Sequence, residues 1–172
     1  MSILSTIVES IGNSAAHEGA IYLLRNVPGL PPIVQTVHIL SVAAVMASMV
    51  FIALRSLNLA FRTQDLLEMR QRLLPWTLWA LPLLFVSGGM FVLARPRRFI
   101  LDPVMSWKML FMLTALLFSY FMLRQIKRTV AGDSWMPSLS LKLLATGALT
   151  FWILTVLAGR WVYYSEYIFA RA

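Results

Sequence analysis

The chain has 172 residues, of which 59% are apolar and 13% charged, where a soluble domain of this size carries about a quarter charged residues. Its formal charge of +8 is concentrated at the ends of long apolar runs. That pattern belongs to a membrane protein meeting anionic headgroups, not to a nucleic-acid binder. There is no cysteine, which excludes disulfides, thiolate catalysis and cysteine-based metal sites.

Taken in chain order, residues 2–11 place Ile3, Leu4, Ile7, Val8 and Ile11 at helical spacing, with Ser5, Glu9 and Ser10 opposite. This predicts an N-terminal amphipathic helix. It lacks the basic segment and cleavage signal of a secretory leader. Its apolar face suits the bilayer interface, the bundle itself or a partner protein. Pro28-Gly29-Leu30-Pro31-Pro32 closes this region, because proline cannot continue a helix but suits its first turn.

Four apolar runs follow, Pro32–Leu54, Leu73–Ala94, Val104–Leu123 and Leu139–Gly159. Each is near the ~20 residues a helix needs to cross a bilayer core. The expected fold is an all-α integral membrane protein: a four-transmembrane-helix bundle over 31–164, an amphipathic region over 1–30 and a tail over 165–172. The first loop, Arg55–Arg72, has room for a surface helix over Thr63–Gln71. The second is a tight turn around Arg95-Pro96-Arg97-Arg98, and the third carries the turn signal Gly132-Asp133. The tail opens on Trp161, Tyr163 and Tyr164, residues that favour headgroup depth. The terminal side holds seven basic residues and the opposite side eight, so the charge bias assigns no orientation.

Ionisable side chains at membrane depth are rare and mark sites. His38 lies six residues past Pro32 and Lys108 five past Pro103, which puts both roughly 8–9 Å below their span starts. The second span returns Gly88 and Gly89 to that face, and the fourth returns Arg160. Paired glycines admit a close backbone or a flat ligand. The expected site is therefore His38, Lys108, Arg160, Gly88 and Gly89, rimmed by Arg95, Arg97 and Arg98.

Three chemistries suit the set. A b-type haem takes a neutral imidazole as axial ligand, here His38, and its acid groups face cations such as Lys108 and Arg160. A quinone headgroup would be held by His38 and Lys108. Copper(I) would pair His38 with thioethers, and Met112 and Met122 share a stripe with Lys108 while Met49 lies below His38. Against these stand plainer roles: methionine as packing, His38 as an interhelical hydrogen bond, Lys108 and Arg160 as interfacial anchors. The chain has too few histidines for a dihaem bis-histidine cytochrome. No acidic residue lies inside a span, which argues against a carboxylate proton relay.

The order Val37-His38-Ile39-Leu40, Arg72-Leu73-Leu74-Pro75-Trp76, Ser87-Gly88-Gly89, Asp102-Pro103, Trp107-Lys108-Met109-Leu110 and Gly159-Arg160-Trp161-Val162-Tyr163 is similar to an uncharacterised family of small bacterial membrane proteins. More distantly it resembles the membrane domain of copper-resistance protein D and the membrane-bound protoporphyrinogen oxidase. The resemblance implies a multi-pass protein of the bacterial inner membrane in which His38 and Lys108 act together, His38 as a haem ligand or on a path for copper. The chain departs from the oxidase type in lacking its further histidines. It departs from the copper type in lacking a histidine- or methionine-rich tail.

The leading expectation is a redox-ligand protein passing electrons to or from a partner. The alternatives are a non-catalytic subunit or anchor of a larger complex, and copper transfer across the membrane. None involves nucleic acid.

Overall fold

The computed structural model describes residues 3–130, 138–162 and 164. The turn signal at Gly132-Asp133, the belt residue Tyr163 and the tail over 165–172 lie outside them. The described residues form helices joined by short turns, with no strand among them. Seven helices run α1 (Ile3–Gly12), α2 (Ala15–Asn26), α3 (Leu30–Ser56), α4 (Leu66–Ala94), α5 (Pro96–Ile100), α6 (Pro103–Val130) and α7 (Leu139–Trp161). α3, α4, α6 and α7 are long and apolar enough to cross a bilayer, and they form the expected four-helix membrane bundle.

Each start has a local cause. Gly29 takes the left-handed conformation at φ 79° and sets Pro31 and Pro32 in the first turn of α3, where a missing N–H costs nothing. Asp65 caps α4, its side chain accepting from the Glu68 N–H at 2.8 Å, and Asp102 accepts from Val104 N–H at 2.8 Å at the start of α6. Ser138 caps α7 through Leu141 N–H.

Two expectations are corrected. The surface helix over Thr63–Gln71 is not a separate element: α4 starts at Leu66 and runs unbroken into the span, with Pro75 and Pro82 inside it. Nothing at Arg72 and Leu73 breaks the helix, and the Glu68–Arg72 ion pair at 2.6 Å supports it across that junction. The second loop is not a simple turn either, since Pro96–Ile100 forms the short helix α5. In addition, the N-terminal region holds two helices. Ser14 caps α2 by accepting from His17 N–H at 3.2 Å.

α3 packs against α4 and α7, and α7 packs against α6, whereas α4 and α6 meet only lightly. The core lies along the first three seams. Val45, Met49 and Ile52 of α3 meet Met122 and Ile126 of α6 and Leu141 of α7 there. Small residues let the backbones approach: Ser41, Ser48 and Ser56 of α3 are buried, each hydroxyl donating to the carbonyl four residues back. α2 is tied to the bundle by His17, whose Nδ1–H donates to Leu93 O at 2.6 Å. That carbonyl belongs to the last turn of α4, where the helix itself supplies no donor.

Candidate functional site

On the terminal-side face, α3 presents His38 to α4. The imidazole Nδ1 lies 3.0 Å from Ser87 Oγ, and Ser87 is itself buried. The Ser87 hydroxyl has one proton, and it is directed to Leu83 O at 2.6 Å. Ser87 Oγ must therefore accept, and Nδ1 must carry the hydrogen. The hydrogen-bond network thus places a proton on Nδ1, with Nε2 turned away from this bond. The Leu84 carbonyl is a further neighbour of the ring.

The glycines act differently from expectation. A Cβ on Gly88 would stand 3.1 Å from His38 Cε1 and 3.5 Å from Nδ1, while one on Gly89 would meet nothing within 4 Å. Gly88 thus seats the His38 ring, whereas Gly89 faces open space rather than the ring. On the other side, the Lys108 stem runs across Gly159, whose Cβ would stand 3.4 Å from Lys108 Cε and 3.7 Å from Nζ. The Lys108 ammonium lies within electrostatic reach of the imidazole. The structure therefore brings together His38, Ser87, Gly88, Lys108 and Gly159.

Arg160 is not among them. Its Nη2 donates to Tyr164 Oη at 3.2 Å and its guanidinium lies 5.4 Å from the Tyr164 ring centroid, so it turns toward the tail in the manner of an interfacial anchor. Arg95, Arg97 and Arg98 line a hollow of about 400 Å³ with Val8, Glu9 and His17. They face α1 and α2 rather than forming a rim around His38.

Ser87 and Gly159 are the functional neighbours that sequence reasoning did not single out. A serine inside an apolar span, at the depth of the histidine on the returning helix, is the signal that would have found Ser87. Gly159 had no signal of its own, because the residue after it carries the charge.

The arrangement holds one imidazole, oriented through its Nδ1, beside one cation. Nε2 can donate its electron pair to a metal or accept a hydrogen from an O–H donor. The thioethers of Met49 and Met122 are fully buried in the aliphatic core. Among the described residues no group of three or more His, Asp or Glu side chains gathers as a metal site.

No curated protein and no solved structure matches the chain. The profile of a family of unknown function (DUF6644) matches residues 22–165, from within α2 through all four spans, and the chain belongs to that family.

Proposed function

We propose that the protein binds a b-type haem or similar redox ligand at the His38 face and passes electrons to or from a membrane partner, in a bacterial inner membrane. The observation that carries the reading is the Nδ1–H bond of His38 to Ser87. A ligating imidazole is oriented in this way, by a hydrogen bond from its other nitrogen that fixes ring and tautomer. The same bond disfavours a quinone held by imidazole donation, since the donating nitrogen is already engaged.

The residues fit such a group in one respect and constrain it in another. His38 supplies the donor atom, and the Lys108 ammonium beside it suits an acidic substituent. The gaps at Gly88 and Gly159 are filled by His38 and Lys108 themselves, so neither glycine offers a slot for a plate. The group would use the open flank of the half-buried ring. When bound, a haem supplies reversible one-electron chemistry; the chain's own part is to hold the imidazole aimed.

The test is an absorption spectrum of the full chain in mild detergent, oxidised and then dithionite-reduced, with metal analysis on the same sample. A Soret band lost in His38→Ala, with helix content retained, is the expected result. A colourless, iron-free protein overturns the reading.

A second reading, an accessory subunit or anchor of a larger complex, draws on α1. Its Ile3, Leu4 and Ile7 are 81%, 47% and 42% exposed, an apolar strip for a protein partner or the bilayer interface. It predicts co-purification with a partner that is indifferent to His38→Ala. The copper reading loses two of its thioethers, because Met49 and Met122 are packing atoms of the core; of the three methionines, only Met112 is left to accompany His38.

A further inference from the structure

At the opposite membrane face, the light contact between α4 and α6 leaves a crevice of about 550 Å³. Arg70, Leu74, Thr77 and Leu81 form one stripe of α4 along it, and Leu116, Leu123 and Lys127 line it from α6. Its floor is Met49 and Trp152. Leu78 and Tyr120 stand at the mouth and are 58% and 59% exposed, so the crevice opens sideways between two spans, toward lipid.

The polar atoms in it are unusual. Thr77 is 4% exposed, yet its Oγ1 is buried with no hydrogen-bond partner among the described residues. A helical threonine ordinarily bonds the carbonyl four residues back, as Thr155 does at 2.7 Å. Arg70 Nε is likewise buried and unpartnered. The other three arginines of the first loop are engaged. Arg55 donates to Gln64 O and Asn58 Oδ1, Arg62 to Asn58 O, and Arg72 pairs with Glu68. Arg70 lines the crevice instead, with Arg124 and Lys127 adding two more cations at the surface end. A buried donor without an acceptor costs stability, and a cluster of cations beside an apolar wall has a clear complement.

We propose that the crevice between α4 and α6 is a binding site for an anionic phospholipid. Its phosphate is held by Arg70, Arg124 and Lys127, an ester carbonyl accepts from Thr77 Oγ1, and a chain lies along the leucine wall. Thr77 is seven residues past Arg70, about 10 Å deeper along the helix axis, as headgroup and ester levels require. Basic pockets between spans recognise anionic headgroups in this way. The lateral mouth and the apolar wall favour the lipid over a free phosphate, which would need neither. This site is separate from the His38 face and does not depend on the redox reading.

The experiment is native mass spectrometry of the full chain in mild detergent, titrated with phosphatidylglycerol, with phosphatidylcholine, and with inorganic phosphate as competitor. The expected result is retention of phosphatidylglycerol at about tenfold lower concentration than phosphatidylcholine, with no displacement by phosphate. Arg70→Gln should weaken that retention about tenfold and Thr77→Val about threefold. Lys142→Gln, an exposed cation on the same face outside the crevice, should leave it unchanged. The two variants test the site independently, so misfolding of one does not decide it. Equal binding of the two lipids, an equal loss in Lys142→Gln, or full displacement by inorganic phosphate would each overturn the proposal.

Discussion

On its α7 side, α6 is closed to the size of a methyl group. The Phe118 ring fills the space where a Cβ on Gly147 would stand and stacks on Phe151 with centroids 5.5 Å apart. Trp152 Nε1 donates to the buried Ser119 Oγ at 2.9 Å. On its α4 side the same helix borders an open crevice with an unpartnered threonine and an unpartnered guanidinium nitrogen. Lipid tails are as apolar as leucine, so helices in a bilayer associate through shape fit and paired polar atoms, not through expulsion of water. The α6–α7 seam meets both conditions. The α4–α6 seam meets neither, and the difference marks it as a place built around something other than protein.

The contrast can be strained from its closed side first. Gly147→Ala should cost about 1–3 kcal/mol by overpacking against Phe118, read as a lower unfolding midpoint in detergent; an unchanged midpoint would mean the seam has slack. Trp152→Phe keeps a ring in place but removes the bond to Ser119, at an expected cost of about 1 kcal/mol. If Trp152→Phe is more damaging than Gly147→Ala, polar pairing rather than shape closes the seam.

The open side should respond in the other direction. Thr77→Val removes a buried hydroxyl without changing shape, so in lipid-depleted detergent it should leave the unfolding midpoint unchanged or raised. A drop in midpoint there would show that the hydroxyl already has a partner within the protein. The smallest effects lie at the His38 face. Gly88→Ala crowds the imidazole and should move the Nδ1–H resonance of His38 in a nitrogen-15 spectrum. Gly89→Ala, with open space at its Cβ, should leave that resonance in place and stabilise α4 by about 0.5–1 kcal/mol. Identical spectra for the two variants would remove Gly88 from the site.

Much of this was legible along the chain. Four apolar runs of the right length read as spans, and their starts carried proline, aspartate or serine at the positions where free N–H groups need help. His38 and Lys108 were legible as candidates because a titratable group in an apolar run is costly wherever the helix turns it, and the fold brings the two near each other. The continuity of α4 through Leu66–Leu73 was not, because a polar segment reads as a loop until a cap at Asp65 and the Glu68–Arg72 pair hold it in one helix with the span.

Membrane class and span number follow from the chain alone, since a helix rises by a constant amount per residue and each apolar run is long enough to cross a bilayer. Tertiary structure alone decided direction. It turned Gly88 and not Gly89 to His38, brought Gly159 and not Arg160 to Lys108, and left Arg70 as the loop arginine lining a crevice. The rotation of a helix about its axis is set by the surfaces it packs against, and in a span apolar on every side no periodicity records it.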